Sequence, residues 1–165
     1  MINLIITSCP KPFIDKFDVI QCNAINSWTK AKHPNVSKTI YLMGNEIGTE
    51  STANRLGCEY IPDIEYNTYG TPLVSSIFGK LKHKAISNQS SETITVCCYI
   101  NCDIIIFDEF LNNIVQYHQS NINKTQLPYL LVGKRWDVDG IDKIDFTHKD
   151  WETNIKQYSL TNGES

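Results

Sequence analysis

The stretch TITVCCYINCDIIIFDEF, residues 93 to 110, decides the fold. Thr93 to Ile100 is the most hydrophobic run of the chain and is rich in β-branched and aromatic residues. That pattern predicts a buried strand at the centre of a sheet. The run breaks at Asn101-Cys102-Asp103 and resumes at Ile104. Helical spacing then begins at Phe107 and continues to Gln119, with Asp108 and Glu109 in the first turn, where the helix dipole favours acids. A carboxylate in so apolar a run is costly unless something pairs with it. Asp103 therefore reads either as a ligand site at a strand end or as the N-cap of the following helix.

Upstream of this stretch, Asn3 to Ser8 reads as a short buried strand, followed by a loop through Cys9-Pro10-Lys11-Pro12. Phe13, Phe17, Ile20, Ala24, Ile25 and Trp28 recur at helical spacing, which predicts a helix over 13–32 that Pro34 ends. Thr39 to Met43 is a second strand. Thr49 to Leu56 is a helix with Gly57 just past its end. Cys58 to Ile64 is a third strand, which Pro62 shortens or confines to an edge. Leu73 to Ser87 is a helix. Downstream, Pro128 to Gly133 (PYLLVG) reads as another strand, and a short helix covers about 150–158. Strand alternates with helix throughout. The pattern predicts one α/β domain over residues 1–165, with a mostly parallel central sheet and helices on both faces.

Ligands in such sheets sit beyond the carboxyl ends of the strands. Three loops with unusual chemistry meet that description: Ser8 to Lys11, Asn101 to Asp103, and Lys134 to Asp139. Asn101 and Asp103 project to the same side if the strand persists. One carboxylate can hold Mg²⁺ or Mn²⁺ when substrate phosphates supply the other ligands. Arg135 offers a planar fork for phosphate or carboxylate, Trp136 a stacking surface, and Asp137 and Asp139 can bind hydroxyls or accept a proton. The same residues also fit a surface Arg–Asp pair beside a packed Trp. In Glu65 to Pro72, Gly70 permits close backbone approach, and Thr71 and Pro72 suit a helix start. Gln21, Asn23 and Asn26 are amides inside a helical pattern, where they are poor formers. They read as side chains that tie down the first-strand loop. His33, His83, His118 and His148 show no metal-binding spacing and read as exposed.

Composition narrows the classes further. Net charge is −3, from 15 basic and 18 acidic residues, with no long run of either sign, which argues against a nucleic-acid partner. The six cysteines form no C-x-x-C pair and read as free thiols in a reducing, cytoplasmic setting. The N-terminus lacks the basic region of a signal peptide, and no run approaches the roughly 20 apolar residues of a membrane span. The N-x-S/T triplets at Asn35, Asn88 and Asn123 read as incidental.

QCNAINSW (21 to 28), EYNTYGTPL (65 to 73), YINCDIII (99 to 106) and LLVGKRWDVD (130 to 139) together resemble the GT-A fold glycosyltransferases, with the likeness running over essentially the whole chain. The resemblance implies a Rossmann-like sheet that binds a nucleoside-diphosphate sugar, UDP- or GDP-linked, and transfers the sugar to a glycan or small-molecule acceptor. It implies that Asp103 matches the metal-binding acid of the Asp-x-Asp motif, with Asn101 in place of the first acid and Mn²⁺ or Mg²⁺ as cofactor. It implies that Thr7, Ser8, Cys9 and Lys11 line the base and ribose. Asn67, Gly70, Thr71 and Pro72 lie near the diphosphate or sugar, and Cys102 and Trp136 belong to the donor site. Asp137 and Arg135 are then the candidate catalytic pair. The C-terminal part is short or truncated beside that family. A nucleotide-sugar-binding module without turnover is the main alternative, and a sugar nucleotidyltransferase a further one.

Overall fold

The structure, a computed structural model, describes residues 1–87, 93–121, 129–138 and 140–164, and only the backbone at 87 and 160–164. Asn88, Asn123, Pro128 and Asp139 lie outside the described residues.

Strand β1 (Ile2–Ser8) is followed by helix α1 (Asp15–Lys30), β2 (Val36–Met43), α2 (Thr49–Leu56), β3 (Glu59–Ile61), α3 (Val74–Ser87), β4 (Ile94–Tyr99) and α4 (Asp108–Asn121). The four strands form one sheet in the order β3-β2-β1-β4, and every pairing is parallel. Helices cover both faces. Leu4 and Ile6 of β1 face a core shared with Ala24, Ile25 and Trp28 of α1, Ala53 of α2, and Leu111, Ile114 and Val115 of α4. Ile5, between them, faces the opposite core with Tyr41, Met43, and Ile77 and Leu81 of α3. This is the period-2 alternation of a strand carried to both sides, the signature of a buried parallel sheet. Cys98 joins the first core and Cys97 the second, so the adjacent thiols do point to opposite faces.

Four sequence expectations are corrected. β4 stands at one end of the described sheet, and the inner strands are β2 and β1, the latter with Leu4, Ile5 and Ile6 wholly buried. The run 93–100 is the more hydrophobic, but hydrophobicity records side-chain type, while centrality depends on how many neighbours pair. Residues 129–133 form no strand, and Leu130 and Val132 stand almost fully exposed. Thr71 and Pro72 do not start a helix: α3 begins at Val74, and Pro72 instead bridges to Tyr66. Of the histidines, His33 and His118 are half-buried, and only His83 and His148 are exposed. β3 is short and lies at an edge, as Pro62 indicated.

After α4 the chain forms β5 (Asp137–Val138), α5 (Trp151–Asn162) and β6 (Gly163–Glu164), with β5 and β6 paired antiparallel in a separate ribbon. Trp151 stacks on Phe107 and packs at a tilt against Phe146, which docks α5 against the start of α4, and Lys156 bridges to Glu109 and Glu152.

The turns at the carboxyl ends of the strands are tightly specified. Gly44, just after β2, has φ +94°, and a Cβ there would lie 2.7 Å from the Tyr66 hydroxyl. The Asn45 backbone N–H donates to that same hydroxyl, so Tyr66 has little room to withdraw. Gly44→Ala is expected to lower unfolding free energy by about 2 kcal/mol or more, from left-handed strain plus the clash. Urea denaturation reads this directly, and an unchanged midpoint would refute it.

Candidate functional site

The polar residues of α1 organise the loops around the sheet. Gln21 is buried, and its amide clamps Lys11 by accepting from the backbone N–H (2.7 Å) and donating to the carbonyl (2.9 Å). Asn23 makes the same two-sided clamp on a distant segment, donating to the Asp142 carbonyl and accepting from the Ile144 N–H. One turn further on, the Ser27 hydroxyl accepts the Ile106 N–H and the Trp28 indole N–H donates to the Ile104 carbonyl at 2.8 Å. Asn26 turns back on its own helix, to the Cys22 carbonyl, and the Ser27 and Thr29 hydroxyls likewise donate to carbonyls within α1. The amides therefore act on backbone rather than standing open to ligand. A side-chain amide carries both donor and acceptor, so it satisfies an otherwise unpaired backbone unit that an apolar residue would strand.

The carboxyl ends of β1 and β4 meet at this scaffold. Ile100 N–H donates to the Thr7 carbonyl, extending the strand contact into the loop. Asn101 and Asp103 are exposed while Cys102 between them is buried; β4 ends at Tyr99 and Cys102 and Asp103 form a turn, so strand alternation does not carry through them. Asp103 makes no hydrogen bond among the described residues and lies well before α4, so it is not the helix cap. Asp108 instead accepts from the Lys32 N–H at 2.6 Å. Burial pushes the Cys102 thiol up strongly, opposed by the Ser8 hydroxyl beside it. Burial also raises Cys9, to about 11, so neither is a thiolate nucleophile near neutrality. All six cysteines are free thiols. Thr7 is wholly buried and its hydroxyl donates to the Tyr41 carbonyl, which occupies it structurally. Ser8 is also wholly buried, and its hydroxyl has no partner with hydrogen-bond geometry. Lys11 is exposed, with its ammonium 4.9 Å from the centre of the Phe17 ring.

The loop after β3 is a closed hairpin-like turn. Asn67 N–H donates to the Thr71 carbonyl, and the Asn67 side-chain oxygen accepts from the N–H groups of Tyr69 and Thr71 at 2.9 Å each. Gly70 takes φ +75°, with open space around its Cα. Asn67 is thus a structural clasp, and the residue it displays is Tyr69, which the sequence reading passed over.

The Arg135-Trp136-Asp137 cluster does not end a strand of the main sheet. It leads into β5 of the β5–β6 ribbon, with only Asp137 in the strand; Arg135 Nε pairs with Asp137 Oδ1 at 2.8 Å and the Trp136 indole N–H donates to the Ser159 carbonyl of α5. Trp136 is half exposed, and both members of the ion pair are mostly exposed. Of the three loops expected on one edge, the structure brings together Ser8 to Lys11 and Asn101 to Asp103. Nearby, Asp142 and Ile144 border an open hollow of about 450 Å³ that also takes in His148, Trp151, Asn154 and Tyr158.

As a metal centre the chain supplies little by itself. Among the described residues no group of three or more His, Cys, Asp or Glu converges to hold an ion. Among the described residues no set of side chains encloses a resident ion; Asp103, exposed and without a hydrogen-bond partner there, offers one carboxylate to an ion whose other ligands come from elsewhere. No helix among the described residues is long and apolar enough to cross a membrane. In comparisons with known proteins, no family, no curated protein and no solved structure matches this chain.

Proposed function

We propose that this chain is a GT-A-type nucleotide-sugar-binding domain, which takes a UDP- or GDP-linked sugar at the carboxyl edge of the sheet beside Asp103. The observation that carries the reading is the free, exposed Asp103 carboxylate at the end of a parallel strand, with the loop after β1 clamped next to it. A diphosphate needs its charge offset, and Mn²⁺ or Mg²⁺ supplies that when bound. Asp103 would hold the ion and Asn101 would donate to donor hydroxyls or phosphate oxygens. The main-chain groups of Cys9 to Lys11, fixed by Gln21, would line the nucleoside.

The four motifs that resemble glycosyltransferases support transfer of the sugar to a glycan or small-molecule acceptor, with Asp137 or Arg135 in the chemistry. A binding module without turnover has a specific observation in its favour. Asp137 is paired with Arg135, and the strand it belongs to is in a ribbon separate from the sheet that carries Asp103. The nucleotidyltransferase reading has no such support.

Calorimetry with UDP, UDP-sugars and GDP-sugars, each with and without Mn²⁺, is the test. Binding that tightens at least about tenfold with the ion is the expected result. Folded protein that binds none of them refutes the proposal. Donor hydrolysis or product formation separates transferase from binding module.

A further inference from the structure

The loop over residues 140–148 and helix α5 border the open hollow of about 450 Å³, which lies in the size range of small-molecule sites and which the nucleotide-sugar reading leaves unused. Three sets of contacts hold its lining in place. The buried Asn23 of α1 grips the main chain at Asp142 and Ile144. The Asp145 carboxylate accepts from the N–H (2.9 Å) and the hydroxyl (2.6 Å) of Thr147. Trp151 lines the hollow while its ring packs against Phe107 and Phe146. A loop tied down this way loses little conformational entropy when a ligand enters. The lining mixes half-buried apolar groups with polar groups that have nothing to bond. Ile144 and Ile155 are half-buried, and Tyr158 is 36% exposed. The Asp142 carboxylate and the Asn154 side-chain amide are exposed and make no hydrogen bond or ion pair among the described residues. His148 Nδ1 accepts the Asp150 N–H at 3.3 Å, which in the neutral ring puts the proton on Nε2 and makes that nitrogen a donor.

We infer that this hollow binds a neutral saccharide. A sugar ring has an apolar C–H face and a rim of hydroxyls that each donate and accept. The face suits the Tyr158 ring and the two isoleucines, and the rim suits Asp142, Asn154 and His148, which together supply acceptor, amide and donor. An anion fits poorly, because the ionised lining groups are Asp142, Asp145 and Lys143, which are acidic on balance. A wholly apolar ligand would strip water from Asp142 and Asn154 without replacing their hydrogen bonds. A planar base stacks best between two rings, and Trp151 is already packed against Phe107 and Phe146. None of these residues belongs to the proposed nucleotide site, so the inference is independent of that reading.

Amide NMR titration of the full chain with glucose, galactose, mannose and N-acetylglucosamine tests it, with uridine and inorganic phosphate as contrasts. At least one sugar is expected to shift the amides of Ile144, His148 and Ile155 in a saturable way. Its dissociation constant should be on the order of millimolar, as suits a small ligand in an open site. Asp142→Ala with Asn154→Ala is expected to weaken that binding roughly tenfold. Both side chains are exposed and without partners among the described residues, so the variant should fold, and an amide spectrum unchanged away from the hollow checks that it does. The absence of a saturable shift with all four sugars overturns the inference. Shifts confined to the sheet edge at Asn101 and Asp103 do the same, as does binding untouched by the double variant. Shifts of the hollow's amides by uridine or phosphate as strong as by any sugar overturn it in favour of a different ligand.

Discussion

Trp28→Ala is expected to be the most destabilising single substitution in this chain, costing about 4 kcal/mol or more. Trp28 is wholly buried, at the centre of the core formed by β1, α1, α2 and α4. Truncating a buried Trp loses its transfer free energy and leaves a cavity, together about 3–5 kcal/mol. The Ile104 carbonyl also loses its 2.8 Å partner. A domain of this size holds on the order of 5–15 kcal/mol in total, so the loss consumes a large share of it. Urea or thermal unfolding followed by circular dichroism reads it, and a change under about 1 kcal/mol would contradict the packing described. Trp28→Phe separates the two contributions, because it keeps most of the volume and removes the indole N–H. It should cost about 1–2 kcal/mol and speed amide exchange at Ile106, whose N–H is held by the neighbouring Ser27 hydroxyl. Both effects bear on the site, since Ile104 follows Asp103 directly.

Asp103→Asn is expected to have the largest functional effect with almost no structural one. The side chain is exposed and has no partner among the described residues, so stability should stay within about 0.5 kcal/mol. If the carboxylate faces an ion on a donor diphosphate, removing its charge costs on the order of 3 kcal/mol, or about 100-fold in affinity. The loss should fall on the Mn²⁺-dependent part of binding, leaving the weaker metal-free affinity in place. Calorimetry of wild type and variant with one UDP-sugar, with and without Mn²⁺, distinguishes the outcomes. Equal affinities with the ion present would remove Asp103 from the site. A loss in both conditions would mean that it acts by hydrogen bonding rather than through a metal.

Much of the fold was legible in the residues. α2 has the bounds its spacing indicated, closed by Gly57 at φ +70°. Strands β1 and β2 and helices α1 and α3 lie within a few residues of their patterns, because amphipathic spacing and breakers such as Pro34 act locally. The amides of α1 also read correctly in kind. Their type signalled an unusual duty, and Gln21 does hold the first-strand loop. Their partners were invisible, because the contact from Asn23 to Ile144 spans most of the chain. Tyr69 was missed because nothing in a tyrosine says that its turn will present it outward.

By itself the sequence determined the α/β alternation and the opposite faces taken by Cys97 and Cys98. Each follows from local periodicity or from composition. Only the tertiary structure decided which strands are inner, that Asp103 is no helix cap, that Asn67 is a clasp, and that Arg135 and Asp137 pair with each other away from the main sheet. Those outcomes depend on which distant groups meet. A residue's type sets what it can bind, but its neighbours in space set whether that capacity is already used, and for Asp103 among the described residues it is not.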